Sequence, residues 1–141
     1  MENRFKFRVW DKDKKCMHYP SRYHNYSIVN GVIVNIESHL IANSAWRVSR
    51  ADEFDDAILM QSTGLKDKNG KLIYESDVVR YVSYVIDGIE PDWEYTEIVW
   101  GGKYNYPALD VKNNYFDCNG LSYIFNEDYV IEVVGNIYEK K

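Results

Sequence analysis

Residues Ile28-Val29-Asn30-Gly31-Val32-Ile33-Val34 set an Asn-Gly pair between two β-branched runs. Asn and Gly tolerate the positive φ angles of a tight hairpin turn, and Val and Ile pack well on a pleated surface, so the segment reads as two antiparallel strands joined at Asn30-Gly31. Toward the amino terminus, Phe5, Phe7 and Val9 alternate with Arg4, Lys6, Arg8 and Trp10, the two-residue period of a strand with one apolar and one basic face. Asp11-Lys12-Asp13-Lys14 is a polar turn, and Lys15 to Tyr19 returns the chain until Pro20, which cannot donate to a ladder.

Toward the carboxy terminus the rhythm fades over residues 38–56. There the acidic group Asp52, Glu53, Asp55 and Asp56 reads as a loop or a short helical turn. Apolar character resumes at Ile58-Leu59-Met60. The stretch Thr63 to Tyr74 carries a second Asn-Gly corner at Asn69-Gly70, with Gly70 suited to the left-handed region, and Glu75-Ser76-Asp77 forms a further bend. Long β-branched and aromatic runs follow from Val78 to Ile86 and from Trp93 to Trp100, and these pair antiparallel. Gly101-Gly102 turns the chain into a strand from Tyr104 to Val111. Leu121 to Phe125 fits a short helix, and Val130 to Tyr138 is a closing strand with a bulge at Gly135.

This spacing of strands and turns predicts an all-β protein with a minor helix. An amino-terminal β-hairpin subdomain spans 1–63, and a small SH3-like or related barrel spans 64–141, the two sharing one continuous core. The chain has 141 residues, of which 45% are hydrophobic and 28% charged, which excludes disorder by composition. No apolar run is long enough for a membrane span, and the first ten residues alternate charge with apolar groups, unlike a signal peptide. A cytoplasmic protein is expected, with Cys16 and Cys118 as free thiols. The net charge of −5 gives no general pull toward nucleic acid or anionic lipid.

The block from Leu59 to Val79, which contains Thr63-Gly64-Leu65-Lys66-Asp67-Lys68-Asn69-Gly70-Lys71-Leu72-Ile73-Tyr74-Glu75-Ser76-Asp77, closely resembles the YopX-like family of phage and prophage proteins. Phe5-Lys6-Phe7-Arg8-Val9-Trp10-Asp11 resembles that family's opening strand, and Val133-Val134-Gly135-Asn136-Ile137-Tyr138-Glu139 its closing one. The match touches both ends and the middle of the chain. It implies an all-β fold, self-association, and a phage or prophage origin within a host cell's cytoplasm; it implies no activity. One departure stands out. The family usually has Gly between the acidic pair where this chain has Ser76, so either the bend avoids positive φ or it is strained.

Candidate residues divide into three chemistries. Cys16, His18 and His24 carry zinc-type donors, but their spacing matches no structural zinc pattern, and Cys16 and His18 read as one face of a strand whose other face carries Met17 and Tyr19. The acidic group at 52–56 lacks the pattern of a calcium loop. Asp67, Glu75 and Asp77, with Gly70, Gly135 and Asn136, lie in the family blocks; a metal-dependent enzyme built on the three carboxylates is weighed against turn-bracing roles. There is no phosphate-cradling loop, nucleophile elbow or paired-thiol motif. The expectation is a protein that is not an enzyme, with no metal and no cofactor.

The remaining features favour binding. Arg4, Lys6 and Arg8 concentrate positive charge beside Trp10, a pattern suited to single-stranded nucleic acid and equally to an exposed strand face protected against edge pairing. Trp10, Tyr81, Tyr84, Trp93, Tyr95, Trp100, Tyr104 and Tyr106 are candidates for a subunit or partner interface, where aromatics bury much area with little rotamer loss; about half of the aromatic set should be core. The leading expectation is a non-catalytic protein-binding or regulatory module that forms a homo-oligomer and engages a host or phage protein. Single-stranded nucleic-acid binding is the alternative.

Overall fold

The computed structural model describes residues 6–21, 24–41, 45–105 and 107–139. The chain is mostly β, 49% strand, with one short helix among the described residues. It divides into two compact units, Met1–Ser62 and Thr63–Lys141. No helix among the described residues is long and apolar enough to cross a membrane.

In the first unit, β1 (Phe7–Asp11) is flanked by β2 (Cys16–His18), with Asp11 opposite Cys16 and Val9 opposite His18, and by the start of β6 (Ala57–Lys66). The Asn30-Gly31 corner joins β3 (His24–Val29) to β4 (Val32–Ile41), with Val29 opposite Val32. Both corner residues have positive φ, 51° at Asn30 and 80° at Gly31, as a two-residue primed turn requires. Val9, Tyr26, Val34 and Met60 are buried here.

Residues 45–53 form β5 (Ala45–Glu53), paired along β4 with a bulge between Glu37 and Ser38. The acidic segment is therefore strand at Asp52 and Glu53 and the expected loop at Phe54–Asp56. Antiparallel pairing satisfies its backbone whatever its side-chain rhythm, and the chain bends only at Phe54–Asp56.

In the second unit, the end of β6 turns at Lys68-Asn69-Gly70 into β7 (Leu72–Tyr74), with Gly70 at φ 79°. The four remaining strands order as β10-β9-β8-β11. They are β8 (Asp77–Val82), β9 (Glu94–Trp100), β10 (Leu109–Val111) and β11 (Val130–Asn136), and helix α1 (Gly120–Asn126) precedes the last. β8 alternates strictly, burying Asp77, Val79 and Tyr81. Ile73, Val79, Tyr81, Ile98, Val111, Leu121, Ile124 and Ile131 make the core. The closing strand has its irregularity between Val133 and Gly135.

Two expected strands are shorter than their composition suggests. β8 stops at Val82, and Tyr84-Val85-Ile86 pairs with no strand among the described residues and lies exposed. The expected strand from Tyr104 to Val111 contracts to Leu109–Val111, since positive φ at Gly101, Gly102 and Asn105 breaks the extended backbone before it.

Candidate functional site

The aromatic candidates of the second unit separate by burial. Tyr81 belongs to the core at 3% exposure, and burial pushes its hydroxyl up to about 12; its assignment to a surface is corrected. Trp93 is engaged rather than free, with the Arg80 guanidinium 4.2 Å and the Lys68 ammonium 5.6 Å from its ring centre. Tyr104 is half-exposed and its hydroxyl donates to the carbonyl of Phe116 at 2.9 Å. Tyr84 (67%), Tyr95 and Trp100 are exposed. Trp10, in the first unit, is partly buried on β1 opposite Met17 and Ile58. Tyr106 lies outside the described residues.

Beside these residues the second unit has a cavity of about 300 Å³ walled by Tyr81, Tyr115, Phe116 and Tyr129, with Val82, Ser83, Asp92 and Glu94 completing its lining. The rings interlock: Phe116 stacks on Tyr123 at 4.4 Å and meets Tyr129 edge-on at 6.2 Å. The Ser83–Glu90 loop that departs from this cavity holds out Tyr84, Val85, Ile86 and Ile89. Tyr115, at 73% the most exposed large hydrophobic side chain among the described residues, was missed in the sequence; an aromatic amid Asn113, Asn114 and Asp117 in a polar loop is the signal that marks it.

The family-block residues act as braces. Asp67 is buried; its Oδ1 accepts the amides of Asn69 (2.9 Å) and Lys71 (2.8 Å), while Oδ2 accepts that of Val133 (2.9 Å). Asp77, also buried, accepts the Tyr74 amide at 2.8 Å across the Glu75-Ser76 bend. Gly70 and Gly135 serve the turn and the bulge, and Asn136 accepts the amides of Tyr138 and Glu139 after β11. Asp67, Glu75 and Asp77 do not converge as metal donors. Nearby, Arg80 donates two hydrogen bonds to Glu132 (2.9 and 2.7 Å) and holds that carboxyl below its ordinary range.

The basic strand does not present a continuous cationic face. Arg8 is 1% exposed, with Tyr19 near its guanidinium at 5.9 Å, so the reading of Arg8 as part of an exposed basic face is corrected. Lys6 is partly buried, and Arg4 lies outside the described residues. Of the zinc-type donors, His24 stands apart, facing Ser21 Oγ at 3.2 Å and Glu37 at 3.6 Å. Cys16 and His18 do meet, at 3.3 Å between Sγ and Nε2, and the third group beside them is Asp11, whose Oδ2 lies 3.7 Å from the same nitrogen.

Among solved structures the chain is similar to protein EF1440 from Enterococcus faecalis, known from a crystal structure. The two align with a TM-score of 0.57 and 24% sequence identity, over 95% of this chain and 93% of that one, a likeness of fold. No curated protein matches the chain. The opening strand, the braced turn at Asp67 and the bulged closing strand all fall within the span, residues 6–141, that the family model described as YopX protein matches, and the chain belongs to the YopX family.

Proposed function

We infer that the chain is a non-catalytic protein-binding module that grips an extended segment of a partner protein in the aromatic cavity of its second unit. The carrying observation is the cavity walled by Tyr81, Tyr115, Phe116 and Tyr129, rimmed by Asp92 and Glu94 and opening beside the exposed Tyr84–Ile89 loop. Flat rings with a polar tip bind extended, proline-containing or aliphatic segments with little entropy loss, and the two carboxylates favour a Lys or Arg beside them. The exposed apolar loop also supports self-association, which a monomeric mass by light scattering at micromolar concentration removes.

A library of extended peptides, displayed against the full chain, tests the reading. Selection should enrich a basic residue next to an apolar or proline position. Tyr115→Ala or Tyr84→Ala should weaken the selected peptides by at least about tenfold, the scale of an interface anchor. Unselective binding, or binding indifferent to both substitutions, overturns it.

A further inference from the structure

We propose that the β1–β2 hairpin is a binding site for a single divalent ion of the zinc class, held by Asp11 Oδ2, Cys16 Sγ and His18 Nε2. The ladder assembles the donors. Asp11 faces Cys16 across the pair, and the two-residue strand period puts Cys16 and His18 on one face of β2. Cys16 Sγ is 3.3 Å and Asp11 Oδ2 3.7 Å from His18 Nε2, and all three atoms lie within 4.8 Å of one another. Tetrahedral zinc with its usual bond lengths separates such donors by about 3.3–3.6 Å.

The direction of approach separates this site from a nucleophilic triad. In a triad the acid holds one imidazole nitrogen and the nucleophile uses the other. Here thiol and carboxylate both lie beside Nε2, so no proton can pass through the ring between them, and the three donor atoms cluster within 4.8 Å as the ligands of one ion would. The hairpin also fixes the donors in place. Asp11 Oδ1 accepts the amides of Asp13 and Lys14, both at 3.1 Å, which leaves Oδ2 for the ion. The His18 ring packs against Phe54 at 5.4 Å and Tyr26 at 6.4 Å.

The surroundings favour a cation. Asp11 and His18 border a cavity of about 300 Å³ to which Asp13, Asp52, Glu53 and Asp55 add carboxylates against the single ammonium of Lys14, so acidic groups outnumber basic ones in the lining. Asn35 lines the same cavity, and its buried Oδ1 has no hydrogen-bond partner among the described residues, which offers an acceptor to a water completing the ion's fourth position. On binding, the thiol proton leaves to solvent, and an imidazole protonated at Nε2 moves its proton to Nδ1.

Titration of the full chain with cobalt(II) and zinc tests the site. One equivalent should bind, and cobalt should give a thiolate charge-transfer band that Cys16→Ser abolishes and Cys118→Ser leaves intact. Zinc affinity should fall at least about tenfold in Cys16→Ser and in His18→Ala. If these variants do not fold, alkylation of the unmodified protein decides: zinc should slow modification of Cys16 about tenfold or more and leave the exposed Cys118 unchanged. No bound equivalent, a band that survives Cys16→Ser, or equal alkylation of Cys16 with and without zinc overturns the proposal.

Discussion

Asp67 and Val133 are joined by a single charge-assisted hydrogen bond, 2.9 Å from the Val133 amide to Oδ2, that ties the turn after β6 to the outer edge of β11. The neighbouring Lys68 amide donates to the Ile131 carbonyl at 3.0 Å, so two successive turn residues occupy hydrogen-bonding positions that an extra strand would otherwise take.

Asp67→Ala removes the acceptor for three amides, of which that of Val133 lies on the strand edge. Buried donors left without partners cost about 1–3 kcal/mol each, and with Asn69 and Lys71 exposed to water the variant should lose about 1–3 kcal/mol of stability in urea unfolding and become more prone to aggregate. A loss below about 1 kcal/mol would show that water replaces the carboxylate.

Ser76 has φ 72°, in the left-handed region that favours Gly. The Ile98 carbonyl accepts its amide at 2.8 Å and its own carbonyl accepts the Ile137 amide at 3.2 Å, so the flanking structure holds the bend there against the strain. Left-handed geometry costs a non-Gly residue about 1–2 kcal/mol, and the greater freedom of Gly in the unfolded chain offsets about half of that gain. Ser76→Gly should therefore stabilise by about 0.5–1 kcal/mol at unchanged denaturant slope; destabilisation would mean that the hydroxyl supports the bend.

The Arg80–Glu132 pair makes stability depend on acid. The hydrogen bonds from Arg80 lower the folded-state pKa of Glu132, so its contribution is present above the ordinary carboxylate value and disappears as pH falls through the lowered one. Between pH 5 and pH 3 the unmodified protein should lose more stability than Glu132→Gln. Parallel unfolding curves would assign the acid response to other carboxylates.

Gly120 opens α1 in a confined place. A Cβ there would meet Val111 Cγ2 at 2.6 Å and Asn114 Oδ1 at 3.0 Å, while the amide of Leu121 donates to the fully buried Asp110. Gly120→Ala should cost about 1–3 kcal/mol by overpacking, read as a lowered Tm. An unchanged Tm would mean that the Val111 side chain yields at no cost.

Both Asn-Gly corners and the bulge near Gly135 were legible because positive φ and ladder slippage depend on residue type. The length of a strand depends on what lies beside it. Tyr84-Val85-Ile86 has strand composition and no partner strand among the described residues, whereas Ala45–Glu53 has poor rhythm and a long partner in β4. Arg8 misled for a related reason, since alternation assigns faces without saying which face another element covers. Of the hairpin donors, Cys16 and His18 were legible as one strand face; Asp11 required the register that sets it opposite Cys16, and His24 lay on a different hairpin.

Residues 83–90 are exposed throughout, including four large apolar side chains that take no part in the core. Positions that fold nothing are free to change: Tyr84 or Ile89 can be exchanged for other shapes while the same scaffold stays intact, so this surface and the architecture beneath it can evolve at different speeds.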